Sequence, residues 1–524
     1  MPTVPEALKL AEQASQAGDF ARAEFIYEQI QKVAADEPQS LNGLGVVAIH
    51  ANRLDAAEQY LRRAIAIWPN DPAFHNNLSE VYRRQERWDE AIACCRRAIE
   101  LAPRAAQLHN NLGVLEKQVK RYEAALASLQ RAVELDPRGG HIHYNLANLY
   151  CEMHRLSEAE SSFRRALEFT PDSFDVHNNL ANVLEVQGRW SEALEHLEAA
   201  LRANGSYAQA HRNRALIRLL MGNFAEGWPE YEWRWQVPGT RQLDFPRARW
   251  NGESLEGRTI LLCAEQGLGD TLQFIRYAAL VQERGGRLTV QCPGMLHPIL
   301  SRTAGIDRFA AAEGSAERFD CYAPLMSLPA IFGTTLETVP AKIPYLFADP
   351  LRVARMREAL STVGELKVGI NWQGSQGFAG DFYRSVPLSS YAPVAQVEGI
   401  KLYSLQRGFG REQLAAVADR WQITDFGDEF DRDGAFMDSA ALMINLDLVI
   451  TTDTAIAHLA GGLGVPVWVA LQFSPNWRWL LDRADSPWYP TLRVFRQPRF
   501  GDWSHVFHQI AAELQTLVNT RRGV

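Results

Sequence analysis

The sequence predicts an all-α repeat superhelix followed by an α/β region built from two doubly wound halves. A large, mostly apolar side chain recurs every 34 residues from Phe20 onwards, which is the period of a repeated pair of short helices. From Thr259 this period gives way to short buried strands that alternate with glycine-bearing turns and helices. With 524 residues, the chain is also too long for a single hydrophobic core.

Four rows of residues that share the period of 34 mark the repeated unit. Two short amphipathic helices fit within 34 residues, small side chains let them approach closely, and proline starts a new unit because it cannot continue a helix. The rows are Phe20, Leu54, Trp88, Tyr122, Leu156, Trp190 and Phe224; Ala23, Ala57, Ala91, Ala125, Ala159, Ala193 and Gly227; Ala64, Ala98, Ala132, Ala166 and Ala200; and Pro69, Pro103, Pro137 and Pro171.

Two further rows with the same period are polar. Two residues along a helix correspond to a rotation of about 200°, so these rows face nearly opposite sides. We expect the histidines to pack, because one histidine per repeat offers no clustered set of metal ligands. The rows are His75, His109, His143, His177 and His211, and Asn77, Asn111, Asn145, Asn179 and Asn213.

Residues 4 to about 224 resemble the tetratricopeptide repeat family on these rows. The resemblance implies that the asparagines line the concave surface, where a similar ladder in O-GlcNAc transferase holds the backbone of an extended protein substrate. Amide side chains suit that role because they offer both a donor and an acceptor to a peptide bond. The alternative is that these asparagines only cap or bridge neighbouring helices.

Composition and charge exclude several classes of function. The net charge of −8 is spread over both parts of the chain, so neither shows the basic excess that nucleic-acid binding requires. The six cysteines form no Cys-x-x-Cys pair and are expected to be buried thiols. No apolar stretch is long enough to span a membrane, and the N-terminus lacks the pattern of a signal peptide, so we expect a cytoplasmic protein.

The second half predicts two parallel sheets. Thr259–Cys263 and 287–292 are strands that flank the turn Gly267-Leu-Gly-Asp270 and a predicted helix over 271–284. A second set of strands follows at 367–372, 401–405, 446–450 and 465–471, with the two halves joined near 349–361 and a last helix over 505–521 that could tie them together. Ligands of such folds bind at the carboxyl ends of the strands.

Residues 257–515 resemble glycosyltransferases of the GT-B fold, especially the heptosyltransferase family. The resemblance is carried by Gly267-Leu-Gly-Asp270 and by Asp453-Thr-Ala-Ile-Ala-His458-Leu-Ala-Gly-Gly-Leu-Gly-Val-Pro466, in this order and separation. The combination with a repeat arm is similar to O-GlcNAc transferase and to bacterial repeat-bearing transferases that modify flagellin. The expected segments are a repeat superhelix (4–226), a Trp-rich junction (227–258), an acceptor-side Rossmann-like domain (259–349), a nucleotide-sugar domain (350–504) and a C-terminal helix (505–524).

Asp270 is the candidate general base. It follows the first strand of the α/β region, and the resemblance implies that it removes the proton of the acceptor hydroxyl as the sugar is transferred. The preceding Gly267 and Gly269 are expected to clear space for the substrate. The alternative is that Asp270 is only the N-cap of the following helix.

The start of the helix after the strand at 446–450 is the candidate donor site. Thr452, Asp453, Thr454, Ala455 and His458 lie there, and the free backbone N–H groups of a helix N-terminus suit a diphosphate. Asp453 would repel phosphate, so we assign it to a sugar or ribose hydroxyl and the phosphate to the backbone of Thr454 and Ala455. The alternative is that Asp453 only caps the helix.

A glycine-bearing loop supplies further donor contacts. Gln373, Gly374 and Ser385 belong to this loop, and Arg384 matches the position where related enzymes present a cation to the leaving diphosphate. Heptosyltransferases tend to carry lysine there, which leaves the donor nucleotide open. Gln406 and Arg407, after the next strand, are expected to reach the nucleotide, with a surface salt bridge as the alternative for each arginine.

These residues predict a sugar transferase that needs neither a metal nor a cofactor, since the nucleotide sugar is a co-substrate. Asp431-Arg-Asp433 superficially matches a metal-binding pattern but is expected to be solvated, and Trp477, Trp479, Trp488 and Trp503 are expected mainly to pack. The expected reaction transfers a sugar, with inversion, to a hydroxyl of a protein, such as flagellin or another surface protein, held by the repeats. The rivals are a transferase acting on lipopolysaccharide or another glycan, with repeats that recruit partners, and an inert scaffold.

Overall fold

The computed structural model of the chain describes residues 2–243, 245–310, 318–360, 364–375, 377 and 380–522. It divides into two compact units. One comprises Met1–Leu184 and Glu198–Gly205, and the other comprises Glu185–Leu197 and Ser206–Val524. The last helical repeat therefore belongs with the α/β region, whereas the sequence predicted that the repeat domain extends to residue 226.

The repeat region consists of helix pairs with a constant spacing. The first helix of successive pairs starts every 34 residues from Val4 to Ala208, and the second starts at each member of the row that begins with Phe20. The helices are α1 (Val4–Gln16), α2 (Phe20–Val33), α3 (Pro38–His50), α4 (Leu54–Ile67), α5 (Pro72–Arg84), α6 (Trp88–Leu101), α7 (Ala106–Gln118), α8 (Tyr122–Leu135), α9 (Gly140–Glu152), α10 (Leu156–Phe169), α11 (Phe174–Val186), α12 (Trp190–Ala203), α13 (Ala208–Leu220) and α14 (Phe224–Tyr231).

The turn within each pair requires one residue in the left-handed region. Glycine adopts this conformation at Gly18, Gly188 and Gly222, and other residues adopt it at the equivalent places. Both alanine rows are buried, and a Cβ on Gly227 would lie 2.7 Å from the Leu219 side chain, so only small side chains fit where the paired helices cross. The other left-handed residues are Asn52, Glu86, Lys120 and His154.

Four members of the histidine row form a hydrogen bond to the turn that precedes their repeat. In four repeats the Nε2–H group donates to the carbonyl of the proline six residues earlier, at 2.8–3.0 Å. A carbonyl only accepts, so the Nε2 tautomer is fixed by this bond. The proline row and the histidine row therefore share a period because they are bonded partners. In the last repeat, His211 instead pairs through Nδ1 with Glu230.

The first sheet of the α/β region is fully parallel, in the order β1-β5-β2-β3-β4. The predicted helix over 271–284 begins three residues earlier and is interrupted by a 3-10 turn at Ile275–Tyr277. Its elements are β1 (Ala248–Arg249), β2 (Thr259–Cys263), α15 (Leu268–Phe274), α16 (Ala278–Glu283), β3 (Arg287–Gln291), α17 (His297–Leu300), β4 (Arg308–Phe309), β5 (Cys321–Pro324) and α18 (Leu328–Ile331).

The second sheet is also parallel, in the order β11-β10-β9-β6-β7-β8. Its elements are α19 (Pro350–Ala359), β6 (Leu366–Asn371), α20 (Asp381–Arg384), α21 (Ala392–Ala395), β7 (Ile400–Ser404), β8 (Ile423–Thr424), α22 (Met437–Ile444), β9 (Leu448–Thr452), α23 (Ala455–Leu463), β10 (Val467–Leu471), β11 (Leu492–Arg496) and α24 (Trp503–Arg522). The buried face of α24 packs against the core of the second sheet.

The Trp-rich junction is a packed part of the α/β region. After α14 it forms a 3-10 helix at Glu232–Gln236 and then contributes β1, the edge strand of the first sheet. Trp228 is buried and its indole N–H donates to the Thr334 carbonyl at 3.0 Å, and residues of α13 and α14 share one core with both sheets. Within the described ranges, no helix is both long and apolar enough to cross a bilayer.

Candidate functional site

The candidate site lies where the strand order of each sheet reverses. In the second sheet β7 lies on one side of β6 and β9 on the other; in the first sheet β3 and β5 flank β2 in the same way. A crevice outside the carboxyl ends of such strands is where α/β folds bind ligands. Arg384 ends the short helix α20 that follows β6, Asp453 directly follows β9, and Asp270 lies in the first turn of α15, which follows β2.

Arg384 is held in place by residues that follow β6 and β9 of the second sheet. Its Nε donates to Asp381 Oδ1 at 3.0 Å, and its Nη1 donates to the backbone carbonyl of Asp453 at 2.8 Å. Ser385 Oγ donates to the other oxygen of Asp381 and accepts from the Gly374 N–H, both at 2.9 Å. A Cβ on Gly374 would lie 2.5 Å from Asp381 Oδ1 and 2.6 Å from Arg384 Nη2, so a larger residue there would displace these two side chains. Gln376, Phe378 and Ala379 of the predicted loop lie outside the described residues.

Asp453 is buried immediately before α23, between β9 and the helix. The helix N-cap is Thr454, whose Oγ1 donates to Asn371 Oδ1 at 2.9 Å, so the alternative that Asp453 caps the helix is wrong. Burial raises the pKa of the Asp453 carboxyl, against the opposing charge of Arg384. The phosphate was predicted to bind the backbone N–H groups of Thr454 and Ala455. The Thr454 N–H instead donates to the Thr452 carbonyl at 2.8 Å, so this bond leaves the N–H of Ala455, at the first helical position, as the predicted phosphate donor.

Asp270 occupies the third position of α15 rather than the N-cap. Its Oδ2 accepts from the backbone N–H of Gly267, the actual cap residue, at 2.9 Å. Its Oδ1 accepts from Nη2 of Arg478, which comes from the loop after β10. The carboxylate is thus oriented at both oxygens, and it retains lone pairs because a carboxylate offers about four acceptor sites.

Arg478 is buried, and each part of its guanidinium group contacts a neighbouring side chain. Its Nε donates to Gln273 Oε1 at 2.5 Å, its Nη1 donates to Asn476 Oδ1 at 2.8 Å, and its guanidinium lies 4.4 Å from the ring centroid of Trp477. Arg478 was not predicted as a site residue from the sequence, because its partner Asp270 is 208 residues away. The dense run Asn476-Trp-Arg-Trp479 directly after β10 was the available signal.

Helices α15 and α23 meet at Gly269. A Cβ there would lie 3.0 Å from His458 Cδ2 and 3.3 Å from the Cα of Ala455, so the glycine lets the two helices pack closely, and the space for a substrate stays a prediction. His458 is buried, bonds the Tyr489 hydroxyl through Nδ1 at 2.9 Å and stacks on Trp479 with ring centroids 5.5 Å apart. Burial lowers its pKa well below the ordinary value, so the ring is neutral and packs behind the predicted donor site.

Gln406 holds the carboxyl ends of β6 and β7 together. Its Oε1 accepts from the side chain of Asn371 at 2.7 Å and from the N–H groups of Trp372 and Gln373 at 3.1 and 3.0 Å. Its Nε2 donates to the carbonyls of Gln373 and Phe409 at 3.2 and 2.7 Å. A donor contact from the Gln406 side chain would replace these bonds.

Arg407 is anchored to the loop after β8. Its Nη2 donates to the carbonyls of Gly427 and Phe430, and its guanidinium lies 5.0 Å from the Phe430 ring centroid. Nη1 of Arg407 also lies 3.9 Å from Asp425 Oδ1, so the salt bridge that was the alternative is present, and the nucleotide contact stays a prediction. Gln373 accepts at its Oε1 from Gln413 at 2.9 Å.

The site is rich in buried positive charge. Arg276 donates to the Trp488 carbonyl at 2.6 Å and the Tyr345 hydroxyl at 2.8 Å, in addition to the ion-paired Arg384 and Arg478. Gln273 Nε2 and Thr452 Oγ1 are buried polar atoms without a hydrogen-bond partner among the described residues. Buried polar atoms are normally satisfied, so unpaired ones at a crevice are consistent with a polar ligand or ordered water.

The asparagine row bridges adjacent repeats. The Nδ2 groups of Asn77, Asn111 and Asn145 donate to Oδ1 of an asparagine 35 residues earlier, at 2.8–2.9 Å. Asn179 donates in the same way to the Tyr144 hydroxyl and Asn148 Oδ1, at 3.2 and 3.0 Å. The bridging alternative is therefore present in the structure, while these four side chains remain partly exposed. Asn213 is buried and accepts from Gln209 at 3.2 Å.

Asp431 is structural rather than solvated, which corrects the sequence-based expectation. It is mostly buried and accepts from the Asp438 and Ser439 N–H groups at the start of α22, whereas Asp433 is exposed and pairs with Arg352 at 2.9 Å. The part of the chain that the structure describes holds no cluster of three metal-binding side chains. Trp477, Trp479 and Trp488 are buried and pack, as predicted.

Comparison with known proteins identifies the repeats directly. Sequence models of the tetratricopeptide repeat match residues 8–72, 72–138, 118–183 and 154–217. A thermophilic tetratricopeptide repeat protein of Thermus thermophilus is 25% identical, with 35% of this chain and 99% of that chain covered and a TM-score of 0.31. PilF of Pseudomonas aeruginosa is 20% identical, with 38% and 92% covered and a TM-score of 0.36.

A longer relative extends the comparison beyond the repeats. Protein FlbA of Caulobacter vibrioides (strain ATCC 19089 / CIP 103742 / CB 15) is 29% identical over 317 residues, which is 56% of this chain and 52% of the relative. The chain thus spans about half the length of that relative, and the matched share exceeds the part that the repeats occupy. The N-terminal part of the chain is a tetratricopeptide repeat superhelix, followed by an α/β region with two parallel sheets.

Proposed function

We propose that the chain is a glycosyltransferase that moves a sugar from a nucleotide-sugar donor to a hydroxyl of a protein acceptor. The observation that carries this proposal is the convergence of Arg384, Asp453 and the Asp270–Arg478 pair at the switch points of both sheets. Switch points bind nucleotides in α/β folds, and guanidinium groups suit phosphate. The resemblance to GT-B transferases supports the same assignment.

The donor phosphate would lie between Arg384 and the start of α23. Arg384 is pinned by Asp381 and by the Asp453 carbonyl, so its guanidinium is held in one orientation before a ligand arrives. Fixed positive charge stabilises the negative charge that develops on the leaving phosphate as the glycosidic bond breaks. The Ala455 N–H would add a backbone donor, and Asp453 would accept from a sugar or ribose hydroxyl.

Asp270 would act as the general base. The acceptor hydroxyl attacks the anomeric carbon, the nucleotide leaves from the opposite side, and the hydroxyl proton passes to the carboxylate, so the configuration inverts. The Gly267 N–H and Arg478 orient the carboxylate towards one acceptor position. Arg478 is therefore a positioning residue for the base.

The repeat superhelix would hold the protein acceptor. Tetratricopeptide helices present a surface of exposed side chains at a constant spacing, which fits an extended segment of another chain. The bonds that Asn77 and Asn145 donate from Nδ2 to the preceding repeat fix the orientation of their amides. Oδ1 of each residue is therefore available as an acceptor in the same orientation. An acceptor exposed on flagellin or another surface protein would fit this arrangement, and so would other extended polypeptides.

Transfer is tested by supplying radiolabelled nucleotide sugars with an extract of the cells that produce the protein. We expect label from one donor to appear in a protein band, and we expect Asp270→Asn to abolish it while Asp428→Asn, at an aspartate that is 89% exposed, leaves it intact. Label in a glycan instead of a protein would support a lipopolysaccharide-type acceptor. Absence of label with every donor would contradict the proposal.

A scaffold without catalytic activity is the second candidate. The observation that favours it is that both oxygens of Asp270 are already bonded within the chain, as a purely structural carboxylate would be. In that case, the repeats would still bind a protein partner, but Asp270→Asn would leave the biological activity unchanged. The transfer assay therefore separates the two candidates.

A further inference from the structure

A pocket of about 400 Å³ opens beside the carboxyl edge of the first sheet. We call it the aromatic pocket; its apolar walls are Pro229, Trp233, Trp235, Tyr322 and Pro324. Trp233 is fixed because one face of its ring stacks on His211, with centroids 3.9 Å apart and planes 12° apart. The aromatic pocket is thus built from the Trp-rich junction on one side and the end of β5 on the other.

The aromatic pocket is tied directly to the turn that carries the proposed base. Arg234, between the two pocket tryptophans in sequence, donates from Nε to Glu265 Oε2 at 2.7 Å. Gln266 donates to the Tyr231 hydroxyl at 3.2 Å. Glu265 and Gln266 immediately precede Gly267, the cap residue of the helix that carries Asp270. The pocket and Asp270 therefore lie along the same edge of the first sheet.

The lining of the aromatic pocket is electrically balanced. The two charged residues of the lining, Glu232 and Arg249, pair with each other. Glu232 also pairs at 2.7 Å with Arg234, which lies behind the lining and pairs with Glu265. A phosphate or another charged group would meet no unpaired counter-charge there. The neutral polar groups of the lining include the Gln236 amide, the Tyr322 hydroxyl and the Gln242 amide, whose Nε2 donates to the Trp235 carbonyl, and such groups suit the neutral donors and acceptors of a peptide backbone.

We propose that the aromatic pocket binds a proline-containing, extended segment of the acceptor protein next to the hydroxyl that is modified. Flat aromatic and proline faces pack well on proline rings, and a polyproline II segment keeps its carbonyls unpaired and open to amide donors. A lining whose charged groups are already paired with each other favours such a segment over a nucleotide. The identity of the segment as an acceptor rests on the proposed transferase function, whereas the peptide binding itself does not.

The test uses the full chain and a dye-labelled, end-blocked octaproline, with fluorescence anisotropy as the readout. We expect saturable binding that an end-blocked Gly-Ser peptide of equal length does not show. Trp235→Ala should weaken binding at least tenfold, because aromatic anchors in a pocket dominate such interfaces. Trp68→Ala, which removes a 46% exposed tryptophan from the repeats, is the matched control and should leave binding unchanged.

Gln236→Ala guards against a folding defect, because Gln236 is an exposed lining residue and its loss should weaken binding by about fivefold, the equivalent of one hydrogen bond. Octaproline that fails to bind, or binds equally to wild type, Trp235→Ala and Gln236→Ala, would overturn the proposal. Displacement of octaproline by maltoheptaose would assign the pocket to a sugar and would equally overturn it. Nucleotide binding is measured separately, so a chain that binds octaproline but no nucleotide contradicts only the transferase function.

Discussion

Glu230 offers a sharp test of the packing between α13 and α14. Its carboxylate is only 7% exposed and accepts from Arg214 at 2.5 Å and from Arg218 at 2.8 Å, and it also pairs with His211. Glu230→Gln preserves the shape and one acceptor oxygen but removes the charge. It therefore leaves two guanidiniums, 18% and 22% exposed, without their buried counter-charge.

The expected cost follows from this burial. Breaking a buried ion pair from one side costs roughly 3–5 kcal/mol, and the partial exposure of both arginines places the cost near about 3 kcal/mol. For the second unit, of roughly 330 residues, the entropy of unfolding is about 0.7 kcal/mol per kelvin, so Tm should fall by about 4 °C.

Glu226→Gln is the matched control, measured in the same thermal melts by circular dichroism. Glu226 also pairs with Arg218, at 3.0 Å, but it is 56% exposed. An exposed pair contributes less than about 1 kcal/mol, so this variant should melt within about 1 °C of wild type. Equal shifts for the two variants would refute the claim that burial of Glu230 makes the pair important.

Three other predictions follow from individual contacts. His143→Ala removes the bond to Pro137 and should lower the free energy of unfolding by about 1 kcal/mol more than His141→Ala does, measured by urea denaturation; equal costs would refute a stabilising role of this bond. Because burial depresses the pKa of His458 in the fold, the unfolded chain binds a proton there below about pH 6.5 that the folded chain does not, so stability is lost as the pH falls. Between pH 7.5 and 5.5, wild type should therefore lose about 1 kcal/mol more than His458→Gln in urea unfolding, and parallel losses would contradict this. Gly374→Ala should displace Arg384 and weaken nucleotide binding at least tenfold, whereas Gly377→Ala, whose nearest side-chain neighbour is 3.7 Å away, should not; calorimetric titration compares them.

The repeat architecture was predictable because the same residue pattern occurs seven times in the sequence. Each member of the row that begins with Phe20 is the first residue of a helix, and the buried alanines follow three residues later. The strand Thr259–Cys263 was predicted with its observed bounds because all its side chains are apolar or β-branched. The strand Leu492–Arg496 was missed because arginines interrupt its apolar pattern.

The candidate site was only partly predictable, because its contacts join distant segments. Asp270 and Arg384 were recognised from local motifs, but no local pattern shows that Asp270 pairs with Arg478 or that Arg384 bonds the Asp453 carbonyl. The same limit applies to Gln406, whose position after a strand predicted a ligand contact although its amide is saturated by neighbouring loops. The asparagine row was identified, but its bonding between repeats depends on how adjacent helices stack.

Calorimetric titration of the full chain with UDP, GDP, ADP, CDP and CMP tests the central claim most directly. The account predicts that one nucleotide binds and that Arg384→Met weakens it by about 10- to 150-fold, the equivalent of one charged hydrogen bond of 1.5–3 kcal/mol. Arg432→Met, at an arginine that is 70% exposed, should leave the affinity unchanged. Folded protein that binds none of the five, or that binds one equally well without Arg384, would contradict the account.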